Sequence, residues 1–228
     1  MLTRSVWRLL AFLASGLPAS AQVPPNASEL AAYRGLHAAA AKGDVTEIER
    51  MVKGGAPIDA RDGRARTPLH VAAFMRKPDA ARVFMRLGAD ANALDVQRYD
   101  IVTIAAVADD VPMLKVALEG GCRSGNITSP YDGTALIAGA HLGHDEVVRT
   151  LIAAKAPLDH VNNLGWTAVI ESIVLGDGGK HHVATLKALV DAGANVNLAD
   201  RSGDTPLTLA KRRGFKEMVA ILEKAGAH

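Results

Sequence analysis

The heptapeptide TPLHVAA at residues 67–73 recurs, with losses, along the chain. TALIAGA occupies 134–140, TAVIESI 167–173 and TPLTLAK 205–211, with degenerate copies DIVTIAA at 100–106 and RGLHAAA at 34–40. The first residues of these copies, here called anchors, stand at 34, 67, 100, 134, 167 and 205, spaced by 33, 33, 34, 33 and 38 residues. A fixed period in this range is the signature of stacked supersecondary units, each too small to bury its own apolar face. Such a chain builds an elongated array and not a shell around one central core.

Every unit follows the same physical script. Two residues after the anchor stands an apolar residue: Leu36, Leu69, Val102, Leu136, Val169 or Leu207. Small residues follow (Ala72-Ala73, Ala105-Ala106, Gly139-Ala140), as a short helix pressed against its neighbours requires. Nine residues after the anchor, Gly43, Gly143, Gly176 and Gly214 are placed to end that helix. Apolar residues at helical spacing, such as Val147, Val148, Leu151 and Ile152, predict a second helix. It closes at a glycine and a small residue: Gly55-Ala56, Gly88-Ala89, Gly121-Cys122, Gly193-Ala194 and Gly226-Ala227. Turn-forming stretches such as GADANALD (88–95) and GANVNLAD (193–200) then lead to the next anchor. The expected fold is an all-α repeat solenoid.

Thr-Pro-Leu-His at 67–70, Gly-His at 143–144 and GANVNLADRSGDTPL at 193–207 are the motifs through which the chain resembles the ankyrin-repeat proteins. The resemblance covers residues 30–228 as about six repeats, starting near 30, 62, 95, 129, 162 and 200. Repeat three lacks the Thr-Pro start, repeat four has Lys155 where the closing glycine belongs, and repeat five is too long. The resemblance implies a scaffold without catalysis and without a cofactor, binding another protein through a concave face. That face is lined by the turn tips just before each anchor and by the positions seven and eight residues after it. The residues so placed include Arg64, Arg66, Phe74, Met75, Tyr99, Tyr131, His141, Leu142, Trp166, Leu175, Arg212 and Arg213. Tyr99, Tyr131 and Trp166 fall just before three successive anchors, so stacking is expected to set them in one solvent-facing row. Aromatics flanked by arginines are the composition of a protein-binding hot spot. Exported bacterial proteins of this kind have been linked to catalases and oxidant defence, which is an implication of the resemblance alone. A secreted effector binding host proteins would use the same face.

The first 21 residues read differently. Arg4 and Arg8 precede an apolar run from Leu9 to Leu17, Pro18 breaks it, and Ala19-Ser20-Ala21 offers small residues to a signal peptidase. The expectation is a secretory signal cut after Ala21, a linker over 22–29 (QVPPNASE), and a periplasmic or secreted repeat domain from residue 30. Of 26 basic and 24 acidic residues, only two basic ones lie in the signal, so the remainder is charge-balanced. That balance favours neither nucleic acid nor an acidic membrane surface as partner, and a monomer is expected. Cys122 is the single cysteine, which excludes an intrachain disulfide.

GDGGKHH at 176–182 is the stretch that most resembles chemistry. A phosphate loop needs a glycine five residues before the Gly-Lys pair and Ser or Thr after it; here Val174 and His181 stand there. The stretch lies where repeat five exceeds repeat four by five residues, between the two helices of one unit, and is expected to be a lengthened loop with solvent-exposed histidines. A haem or metal chaperone using His141, His181 and His182 is the rival reading, although adjacent residues on a helix diverge by about 100°. Glu171, Asp177 and Asp204 are scattered, without the pairing of acid–base catalysis. His70, with His37 and His144, falls at a repeat position, where the resemblance implies hydrogen bonding to backbone between repeats.

Overall fold

The computed structural model describes residues 22–228. The expected signal segment, residues 1–21, lies outside the described residues. Helix α1 (Ala27–Ala32) is followed by six helix pairs. The first members, which we call inner helices, are α2 (Gly35–Lys42), α4 (Pro68–Phe74), α6 (Ile101–Val107), α8 (Ala135–Leu142), α10 (Ala168–Val174) and α12 (Pro206–Arg213). The outer partners are α3 (Val45–Lys53), α5 (Pro78–Arg86), α7 (Val111–Glu119), α9 (Asp145–Ala153), α11 (Lys180–Asp191) and α13 (Lys216–Lys224). Each inner helix packs on the inner helices before and after it, and each outer helix on its outer neighbours. Among the described residues the only extended pairing is an isolated bridge between Thr128 and Gly133. The all-α solenoid expected from the period is what the chain forms.

Five of the six anchors start their inner helices with a side chain that satisfies an otherwise orphaned N–H; Arg34 makes no such bond. Thr67, Thr134, Thr167 and Thr205 each accept from the N–H three residues on. Repeat three lacks the threonine, and Asp100 accepts from Thr103 N–H at 2.8 Å in its place. The small residues of the inner helices are almost completely buried (Ala72, Ala106 and Ala140 at 0%), because neighbouring helices approach too closely for larger side chains. The outer helices supply the bulk: Ile48, Phe84, Met113, Leu151 and Leu186 fill the space between the layers.

Two departures of the sequence from its own period are absorbed differently. Gly55, Gly88, Gly121, Gly193 and Gly226 close their units at positive φ, and Lys155 takes the same conformation at φ +62°. A residue with a Cβ pays a strain cost there of about 1 kcal/mol or more. In repeat five, Gly176 does not take the left-handed conformation seen at Gly43, Gly143 and Gly214; Gly178 does, at φ +72°, and it lies against the Phe215 ring. Helix α11 has 12 residues against nine in the other outer helices, so much of the insertion is helix. Lys180, His181 and His182 are its first turn and not part of a loop.

Residues 22–29 are not a slack connection. Asn26 caps α1: its side chain accepts from Glu29 N–H at 2.9 Å, and Glu29 Oε2 accepts from Asn26 N–H at 2.8 Å. Val23 then bridges two later repeats, its N–H donating to Gln97 Oε1 at 3.3 Å and its carbonyl accepting from Arg66 Nη1 at 3.2 Å.

Candidate functional site

Five turns, each five residues ahead of its anchor, are built by one device. A side-chain oxygen of Asp62, Asp95, Ser129, Asn162 or Asp200 accepts the N–H groups two and four residues later. This local bonding is what short polar side chains offer a turn. The residue two before the anchor adopts positive φ in all five: Ala65, Arg98, Asp132, Gly165 and Gly203. Neighbouring turns are linked through backbone: Val96 N–H to Arg64 C=O, Ser129 N–H to Arg98 C=O and Asn163 N–H to Tyr131 C=O. The turn tips therefore form a fixed row. The sequence signal for it is the recurrence of Asp, Ser or Asn five residues before five of the six anchors.

Imidazoles tie the layers together as the repeat position of His70 implies. His37 Nε2 meets Arg66 C=O at 3.0 Å, His70 Nε2 meets Tyr99 C=O at 3.1 Å, and His144 Nδ1 meets Ala106 C=O at 2.9 Å. Burial lowers the pKa of His70, against the opposing pull of its bond to Tyr99. Cys122 is buried, its thiol donating to Ala91 C=O at 3.1 Å, and burial pushes its pKa up to about 12.

The twelve residues expected on the partner face are not equally available. Arg212 and Arg213 are exposed, as are Leu142 (40%) and Leu175 (41%); Arg64, Phe74, Met75, Tyr131, His141 and Trp166 are half-buried. Arg66 and Tyr99 are buried, at 1% and 6%, and cannot offer a free surface. Arg66 is taken up by the chain itself. Its Nε donates to Asp62 Oδ2 and its Nη2 to Glu29 Oε1, both at 2.7 Å. Tyr33 OH donates to the same Asp62 oxygen at 2.6 Å. Burial works against ionisation of Asp62, but Tyr33, the Arg66 backbone N–H and the Arg66 guanidinium outweigh it and bring its pKa to about 2.

The expected row of Tyr99, Tyr131 and Trp166 is also out of register. Gly133, and not Tyr131, stands directly before Thr134, and Tyr131 takes the tip position held by Arg64, Gln97 and Leu164 in other turns. Trp166 is not simply solvent-facing, because it packs against the core cluster. Arg212 is spanned to Asp204 by two bonds of 2.7 and 2.9 Å, and Arg213 closes α10 by donating to Val174 and Gly176 C=O.

The histidines of the insertion are separately engaged. His181 Nδ1 lies 3.0 Å from Asp145 Oδ1. His182 lies between Asp177 Oδ1 at 2.8 Å and His141 C=O at 3.0 Å, so it is a strut and not an exposed side chain. His141 Nδ1 faces a third acid, Glu171, at 3.4 Å. Among the described residues no three His, Cys, Asp or Glu side chains converge as metal ligands would. A groove of about 940 Å³ has Leu142, Asp145, Asp177 and His181 among its lining. No helix among the described residues is long and apolar enough to cross a membrane.

A family model for ankyrin repeats in three copies matches residues 102–200, and one for ankyrin repeats in many copies matches 36–85 and 178–223. The ankyrin repeat protein YahD of Escherichia coli K12 is 30% identical over 190 residues, spanning 83% of this chain and 94% of that protein. The B-cell lymphoma 3 protein homolog of Mus musculus is 27% identical over 201 residues, 84% of this chain but only 44% of that protein. The crystal structure of an ankyrin repeat domain from Acinetobacter baumannii AYE superposes with a TM-score of 0.79 at 42% identity, covering 85% of this chain and 98% of the other. With six stacked helix pairs, five of them capped and turned alike, and with YahD and the Acinetobacter domain matched over nearly their whole length, the chain belongs to the ankyrin-repeat family.

Proposed function

We propose that this protein is an exported, non-catalytic scaffold that binds one partner protein along the face formed by its turn tips and inner-helix ends, mainly over repeats four to six. Ankyrin-repeat domains are protein–protein interaction modules, and that much follows from the family. The observation that supports the face is the adjacency of Leu142 and Leu175. They occupy the same position, eight residues past successive anchors, and both are large apolar side chains two-fifths exposed. Apolar surface continued from one repeat to the next marks an interaction site more often than a single exposed leucine does. Half-buried Trp166 and Tyr131 extend it on the turn side, and Arg212 and Arg213 flank it as a polar rim. The N-terminal segment occupies the turns of repeats two and three, which confines the partner to the C-terminal half. What supports export is the Arg-start, apolar run and Ala-Ser-Ala ending of residues 1–21, and association with a catalase rests on the family resemblance alone.

The test is capture from the periplasmic fraction of the source cell, with catalase assayed by name among the proteins retained. Leu142→Asp with Leu175→Asp should reduce partner retention about 10-fold or more while the melting temperature stays within a few degrees, since both side chains are already partly in water. Trp166→Ala should weaken binding and stability together. Undiminished retention by the double leucine variant would refute the face.

A further inference from the structure

We propose that Glu171 is the specificity element of this face, an inward carboxylate that receives a basic side chain, arginine or lysine, from the bound partner. The proposal rests on the turn-tip face being the partner surface. Glu171 stands four residues past its anchor, a position that other repeats fill with Val71, Ile104, Ala138 and Leu209. Its side chain is 5% exposed. Burying a charged group in an apolar row costs several kcal/mol unless each oxygen is satisfied.

Only one of them is. Asn162 Nδ2 donates to Oε1 at 2.9 Å, and this is the one turn among the five built on an amide; the others use Asp62, Asp95, Ser129 and Asp200. A carboxylate at 162 would repel Glu171, so the turn residue is matched to the buried acid. Oε2 meets no hydrogen-bond donor among the described residues. The nearest cationic candidate, His141 Nδ1, lies 3.4 Å away, within ion-pair range but outside hydrogen-bond geometry. A purely structural acid would have both oxygens bonded.

The position is reachable from the proposed face. His141 is the cover over Oε2, and its side chain is 36% exposed. Rotation of that one imidazole opens the oxygen to a guanidinium or ammonium. The turn that carries Asn162 is fixed in place by Trp166 N–H and C=O, each at 3.0 Å. One open oxygen fits a single basic side chain.

The experiment needs no knowledge of the partner. Full-length, ¹⁵N-labelled protein is titrated with Nα-acetyl-arginine amide, Nα-acetyl-lysine amide and the neutral Nα-acetyl-citrulline amide, with the Asn162 side-chain amide and His141 signals as readout. Both cationic probes should give saturable shifts at these two residues, and citrulline amide none. Glu171→Gln, with its melting temperature checked in parallel, should weaken the cationic probes about 5-fold or more. A saturable response to citrulline equal to that of arginine, or no saturable response to any probe, overturns the proposal in the wild-type protein alone. Equal affinities in Glu171→Gln overturn it as well. If the arginine response holds while the leucine variants retain partner normally, the face is wrong and the Glu171 site stands; partner loss in those variants with no probe response means the reverse.

Discussion

Replacing Asp62 by asparagine keeps the shape of the turn and removes one charge from the point where the N-terminal segment meets repeat two. The side-chain oxygen that accepts Arg64 and Arg66 N–H at 2.8 and 2.9 Å is retained. The other oxygen becomes an NH₂ group facing two donors, Arg66 Nε and Tyr33 OH. Arg66 is 1% exposed and is then compensated by Glu29 alone on its charged side. The magnitude follows from the acid itself. A folded pKa of about 2 against an ordinary 3.8 is a differential interaction of about 2 kcal/mol. Because the folded pKa is the lower one, this stability is fully present above the unfolded pKa and is lost as pH falls through about 2. Asp62→Asn should therefore cost about 2 kcal/mol by urea denaturation at pH 7, and only about half as much at pH 3, where the wild type has begun to lose the same term. For a chain of this size the loss is a fall of about 4–8 °C in melting temperature. A variant within ~0.5 kcal/mol of wild type at pH 7, or a difference that does not shrink towards pH 3, would show that the Arg66 cluster does not hold the N-terminal segment.

Lys155→Gly should stabilise the protein by about 0.5–1 kcal/mol, the relief of a left-handed lysine less the added freedom of the unfolded chain, and a melting temperature unchanged or lowered would contradict the strain. His182→Ala should lower stability by about 1 kcal/mol through the lost bond to His141 C=O, and calorimetry showing no loss would return the residue to a surface role. Iodoacetamide at pH 8 should alkylate Cys122 on the order of 100-fold more slowly in the folded protein than in urea, since a thiol with a pKa of about 12 is almost never thiolate; comparable rates would mean that the site opens readily.

The array was legible because its determinants are local and repeated. An anchor hydroxyl, two small residues and a closing glycine each act within one unit, so six imperfect copies correct one another. Even Asp100, which breaks the pattern, performs the threonine's chemistry. The position of Arg66 within its own repeat predicts a surface side chain, and nothing inside that repeat says otherwise. Its burial is decided by Glu29, 37 residues earlier in the sequence, in a segment whose prolines suggest no packing. Tyr131 lies two residues out of register with Tyr99 and Trp166 because Gly133 takes the position directly before the anchor. His182 and Glu171 escaped for a related reason. His182 bonds the carbonyl of His141 in the preceding repeat and Glu171 faces its imidazole, and both approaches depend on how the units stack and not on any spacing within one of them.

The N-terminal segment has a consequence for how the protein can change length. Repeat arrays grow and shrink by whole modules, because each module recognises only its neighbours. Val23 breaks that independence by bonding Gln97, 74 positions away, while holding Arg66 on the way. Duplicating a unit between the first and third would carry Gln97 one repeat beyond the reach of Val23, whereas a unit added after the third leaves both bonds in place. The segment thus measures out three repeats as a ruler does, and gain or loss of modules is left to the C-terminal half, where the proposed partner surface lies.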